Sequence, residues 1–172
     1  MNTPSDRSLA LKVTQGDWEK LPLTYQAFIP EDYIDMMGHM NVMWYTHLFG
    51  HSIGRAFEII GMNRDYFQSN HYGTFALKQY VSYWNEVRVG EQISVRTRLL
   101  GRSAKRLHVM HFMIKEQDQS LAATSEVLLM HMDLSIRRSS PFPDEISQII
   151  DRILAEHTAL NWSAPLAGRI LP

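Results

Sequence analysis

The spacing of apolar residues along the chain changes several times, and each change marks an element. Leu21–Ile29 (LPLTYQAFI) is rich in β-forming residues and is closed by Pro30, which predicts a first strand. From Val42 the apolar positions Val42, Tyr45, Phe49, Ile53, Ala56 and Ile60 recur at spacings of three and four, one stripe of an amphipathic helix. His47, His51, Arg55 and Glu58 fall on another face. Asn41 suits the N-cap and Gly61 the left-handed position that ends a helix, so the spacing predicts a helix over 42–60, about 28 Å long. A connector over 63–72 follows. Thr74–Trp84, Gln92–Leu100, Arg106–Ile114 and Leu121–Met132 then read as four strands. In the second of these Ile93, Val95, Thr97 and Leu99 alternate with Ser94, Arg96 and Arg98, which predicts one wet face. Val127–Met130 is apolar on both faces and reads as a covered, central strand. After Pro141 and Pro143, the residues Ile146, Ile149, Ile150 and Ile153 predict a last helix to about His157. The segments 1–15 and 158–172 show no sustained period.

The polar links 101–105 and 116–120 are too short for a parallel crossover, so the strands they join are antiparallel neighbours. The expected class is α+β: an antiparallel sheet wrapped around one long helix, in the order βαββββ, with a C-terminal helix. The helical stripe needs burial, and the sheet offers the only large apolar surface. Two such sheets can extend each other at their edges, so a homo-oligomer is expected, a homodimer or homotetramer.

The 172 residues suit one domain spanning 1–172 with a core of about 21–157. Seventeen basic and eighteen acidic residues leave no global field, so neither nucleic acid nor an anionic membrane is an expected partner. With no cysteine, disulfide scaffolds, zinc ribbons, Fe–S clusters and thiol catalysis are excluded. No apolar run approaches membrane-spanning length, the N-terminus has no signal-peptide core, and the expected location is cytoplasmic.

Three patterns could carry chemistry. Asp35 stands between the first strand and the long helix, followed by Gly38 and His39. The first helical amides, of Val42, Met43 and Trp44, have no intrahelical acceptor and with the helix dipole suit a developing oxyanion. A carboxylate beside them can attack an acyl carbon or activate water, although Asp also shapes turns. Gly50–Gly54 (GHSIG) fits the G-x-S-x-G elbow of Ser hydrolases, but the helical stripe runs through it and the strands around it are hairpin-linked. Both glycines are expected to permit close helix–sheet packing. His47 and His51 have a spacing that metals use, yet two ligands do not close a site and no metal is expected. His108, His111 and His131 read as packed or hydrogen-bonded core residues.

The segment Pro30–Tyr45 (PEDYIDMMGHMNVMWY) resembles the first motif of hotdog-fold acyl-CoA thioesterases of the 4-hydroxybenzoyl-CoA thioesterase type. Tyr80–Arg98 (YVSYWNEVRVGEQISVRTR) and Ala122–Pro143 resemble two later stretches of that family, in the same order. The resemblance implies a hotdog fold and hydrolysis of an acyl-CoA without metal or redox cofactor. It makes Asp35 the nucleophile or general base and the Val42 amide the oxyanion donor. His39 and Asn41 match motif positions of variable role, and Gly38 and Tyr45 match positions at the substrate. Many relatives carry a second Asp two residues before the catalytic one; here that position is Tyr33. The other thioesterase branch uses a carboxylate inside the helix, where Glu58 is the only acidic residue and lies near the end. Given a polyanionic CoA, the basic cluster with Arg102, Lys105 and Arg106 becomes a candidate phosphate dock. The alternative is a non-catalytic hotdog module that binds an acyl-CoA or acyl-carrier protein.

Overall fold

A computed structural model describes residues 15–170 and 172. The expectation for segment 1–15 lies, but for Gln15, outside the described residues. In chain order the elements are α1 (Gln15–Trp18), β1 (Leu23–Phe28), a 3-10 turn (Glu31–Tyr33), α2 (Val42–Ile59), α3 (Arg64–Asn70), β2 (Tyr72–Tyr83), β3 (Gln92–Arg102), β4 (Arg106–Lys115), β5 (Leu121–Asp133), β6 (Arg138–Ser139) and α4 (Asp144–Thr158). The strands form one antiparallel sheet in the order β1-β3-β4-β5-β2, with the short β6 added to β5. The expected βαββββ order and the terminal helix are therefore present. The connector 63–72 contains α3, a helix too short for its period to register. It is capped by Asn63, whose side chain accepts from the Tyr66 N–H. Among the described residues, no helix is long and apolar enough to cross a membrane.

The sheet curls around α2, whose predicted stripe is buried at Tyr45, Phe49, Ala56 and Ile60 and partly at Ile53, while Val42 at its start is exposed. Tyr45, Leu48 and Phe49 pack with Ile93, Val95 and Met113 toward one end, while Phe57 and Ile60 join Leu99, Val109, Val127 and the isoleucines of α4 toward the other. Between these apolar clusters lies a buried polar belt. Ser52, in the middle of α2, meets Thr24 of β1 at 2.5 Å and His111 Nδ1 of β4 at 3.2 Å. Thr97 of β3 lies 2.7 Å from Thr24 and 2.8 Å from the same imidazole nitrogen. This arrangement removes Ser52 from hydrolase chemistry: it is wholly buried inside a helix, and His111 Nε2 has no partner among the described residues. Gly50 and Gly54 do not serve helix–sheet packing either, because both are exposed and a Cβ at either would meet nothing within 4 Å.

The far face of the sheet is not wet. Ser94 and Arg98 of β3 are 1% and 7% exposed because the two ends of the described chain cover them. Trp18 and Trp162 pack on Phe112, and the Arg98 guanidinium lies 4.4 Å above the Trp162 ring. Arg98 also donates to the Trp162 and His157 carbonyls. On the same side, the buried Glu126 carboxylate accepts from His108 Nε2 at 2.9 Å and from the Ala167 N–H at 2.7 Å. Strand alternation predicted a polar row, but it could not predict that remote segments would bury it. The covered strand β5 and the packed histidines agree with expectation.

Burial holds three imidazoles neutral. It pushes His111 down to about 3 and His157, helped by the Arg98 charge, to about 4; His131 is also lowered by burial. His157 uses its neutral form, since Nδ1 accepts the Leu99 N–H at 2.9 Å. Groups that protonate more readily in the unfolded chain weaken the fold as pH falls through their unfolded value, about 6.5. Each of His111 and His157 contributes a slope of up to about 1.4 kcal/mol per pH unit below that point. Urea midpoints are therefore expected to be level near pH 7.5 and to drop steadily from pH 6.5 to 5. The slope should be shallower in His157→Gln than in wild type.

Candidate active site

The chain between β1 and α2 is held by backbone bonds alone before any side chain acts. The Asn41 N–H donates to the Tyr33 carbonyl, the Asp35 N–H to His39 and the Gly38 N–H to Asp35, closing a tight loop. Gly38 has φ +82°, a conformation that a side chain resists. A further bond ties this loop across the fold, from the Met40 N–H to the Val87 carbonyl at 2.7 Å.

Within the loop, Asp35 Oδ1 accepts the Met37 N–H at 2.8 Å. Oδ2 lies 3.7 Å from His39 Nδ1 and keeps its lone pairs for other work. The side chain is 23% exposed, so solvent can reach it. Asn41 caps α2, its Oδ1 accepting the Met43 N–H at 3.0 Å, while its carbonyl accepts from Trp44. Those bonds remove two of the three helix-start amides expected to be open. The Val42 N–H remains, without a partner among the described residues.

Val42 borders an apolar cleft of about 350 Å³. His39 and Tyr45 line it with Val42, and the end of β2 and the residues after it also line it, through Tyr83, Asn85 and Glu86. Tyr45 is buried, with its ring edge-on to Tyr83 at 5.0 Å. The cleft thus gathers His39, Val42 and Tyr45, with Asp35 touching His39 just beside it. Asn41 and Gly38 act one step back, on the backbone.

The basic cluster is elsewhere. Arg102, Lys105 and Arg106 flank the β3–β4 turn, while the cleft adjoins the opposite end of β3, a strand about 33 Å away in length. Arg102 makes a bidentate ion pair with Asp151 at 2.6 Å, and Lys105 donates to the Ser139 carbonyl. The cations near the cleft are Arg88 and Lys115, which neighbour Glu86 and Glu91 in an adjoining groove. Asn85 and Glu86 were missed as site residues: they read as a turn, and only their tertiary pairing with the first motif marks them. No group of three or more metal-ligating residues occurs among the described residues.

With this geometry in view, residues 29–150 match the model of the thioesterase-like superfamily. The chain belongs to that superfamily. Its curled sheet around one helix is the hotdog fold, and its chemistry is that of a thioester hydrolase. It is 28% identical to a betainyl-CoA thioesterase of Pseudomonas aeruginosa, over 80% of this chain and 86% of that one. It is 31% identical to an L-carnitine dehydrogenase/betainyl-CoA thioesterase of Ruegeria pomeroyi, over 81% of this chain but only 28% of that longer protein. A Staphylococcus aureus protein solved in complex with CoA superposes with a TM-score of 0.78, at 25% identity, over 88% of this chain and 96% of that one.

The cap has a measurable consequence of its own. Asn41→Ala removes the acceptor for Met43 and is expected to cost about 1 kcal/mol of stability, read as a lower denaturant midpoint. Asn41→Asp, which keeps the acceptor, should recover most of it.

Proposed function

We propose that this hydrolase cleaves the thioester of an acyl-CoA, with Asp35 as the reacting carboxylate and the Val42 N–H as the donor to the developing oxyanion. The observation that carries the reading is that unpaired amide, at the positive end of α2 and at the mouth of an apolar cleft, with Asp35 Oδ2 one side chain away. As nucleophile, Oδ2 attacks the thioester carbon, the C–S bond breaks, CoA leaves as the thiol after gaining a proton, and water hydrolyses the resulting anhydride. As base, Asp35 takes a proton from the water that attacks directly and returns it to the departing thiolate. Both routes yield the free acid and CoA. The names of the relatives make a betainyl group the first acyl group to try.

The cleft is open, and its surroundings support a second copy as the missing wall. β2 ends the sheet with an unpaired edge, and Phe75, Leu77 and Tyr80 are exposed along it. Met36 and Met37, in the Asp35 loop, are also exposed. An edge this long and apolar is a ready template for its own copy, so a homodimer through β2 is part of the proposal.

A thiol-release assay over a panel of acyl-CoAs tests the chemistry. Turnover of a subset is expected, reduced about 10²- to 10⁴-fold in Asp35→Asn with the circular dichroism unchanged. Tight binding across the panel with no turnover would instead establish a non-catalytic binding module. Light scattering should give twice the chain mass, and a monomer that turns over substrate would remove the dimer from the proposal.

A further inference from the structure

His47 and His51 stand one turn apart on the exposed side of α2, and their Nε2 atoms converge to 3.1 Å. The ring planes are nearly perpendicular, at 86°, with centroids 4.6 Å apart. A straight N–H···N bond of this length would hold the ring centres about 5.4 Å apart. The lone-pair directions are therefore bent off the line joining the nitrogens, as ligation of an ion beside that line requires. Imidazole–zinc bonds are about 2.0–2.1 Å long, so two nitrogens at this separation subtend roughly 100° at a shared ion. That angle lies between those of neighbouring ligands in tetrahedral and tetragonal shells. Aromatic neighbours hold both rings: Tyr25 of β1 stacks on His51 at 5.3 Å, and Trp44, itself stacked on Tyr33 at 3.7 Å, meets His47 edge-on.

We propose that His47 and His51 bind one divalent late first-row transition ion through their Nε2 atoms, with water in its remaining positions. Each neutral ring then keeps its single proton on Nδ1. Gly50 and Gly54, three residues beyond His47 and His51, are helical neighbours of the pair. Both are exposed and a Cβ at either would meet nothing within 4 Å, so the face beside the imidazoles stays bare for a hydrated ion. Arg55, the cation one turn beyond His51, is bonded to Glu58. Tyr25 belongs to β1, the edge of the sheet order opposite β2, so a dimer through β2 leaves this side of α2 open. Two protein ligands do not close a shell, and the ion exchanges with the medium instead of holding the fold together. The site lies outside the cleft lining and is independent of the acyl-CoA reading.

Calorimetric titration of the chain, free of any histidine tag, with Cu²⁺, Ni²⁺ and Zn²⁺ chlorides in a buffer that binds no metal decides the matter. One ion per chain is expected, held most tightly for Cu²⁺, and the melting temperature should climb as the ion concentration is raised. His47→Gln and His51→Gln should each weaken binding about tenfold or more and remove the melting shift, since losing even a supporting partner of a metal ligand costs that much. Both side chains are exposed, so the variants should keep the wild-type circular dichroism. His39→Gln, beside the Asp35 carboxylate, should leave the affinity unchanged. The proposal is overturned by an absence of saturable binding at millimolar ion, by a stoichiometry other than one, or by binding that survives both substitutions together.

Discussion

The polar belt that joins Ser52, His111, Thr97 and Thr24 fixes where the central helix lies on the sheet. Apolar contacts alone tolerate sliding, because a leucine or isoleucine one turn along finds similar neighbours. A buried polar side chain does not: displaced by one turn, Ser52 would leave Thr24 and His111 and be buried without a partner, at a cost of about 1–3 kcal/mol. The belt touches α2 and three strands at once, and so sets the helix along its own axis. That axial position places the Val42 amide at the cleft.

The second organising feature is that the described ends of the chain are spent on the far side of the sheet. Trp18, Trp162 and Ala167 bury the polar row of β3 and the Glu126–His108 pair, and Arg98 is satisfied by two carbonyls and an indole face. A face so occupied has little left to offer another copy of the chain, whereas the outer edge of β2 remains unpaired. The same economy explains the basic residues: Arg96, Arg98, Arg102 and Lys105 all donate to groups of their own chain.

Much of the fold was legible because its elements carry strong local signals. The 42–60 stripe, the Asn41 cap and the short polar links each follow from spacing and chain geometry, and they are found to within two residues or so of the expected boundaries. The first half of the candidate site could be grouped for the same reason, since Asp35, Gly38, His39 and Val42 belong to one continuous turn and helix start. The rest depends on contacts between distant segments. Arg98 in a buried row looks like any wet β residue until residue 162 is laid on it. Asn85 and Glu86 look like any turn until a backbone bond brings Val87 to Met40. Gly50 and Gly54 looked like packing residues, and their open surroundings give no packing reason for either.

The bond between Met40 and Val87 joins two stretches of chain at the cleft. One, from Asp35 to Tyr45, carries the Asp35 carboxylate and the Val42 amide, and cap, 3-10 turn and left-handed glycine leave its loop few other conformations. The facing stretch, from Tyr83 to Glu86, lines the same cleft and takes no part in the cap of α2. The two stretches meet through the Met40–Val87 backbone bond and through the edge-on contact of the Tyr45 and Tyr83 rings. The cleft is thus built from two separate stretches of chain, one shaped by the local geometry of a turn and helix start, the other brought to it by strand pairing across the sheet.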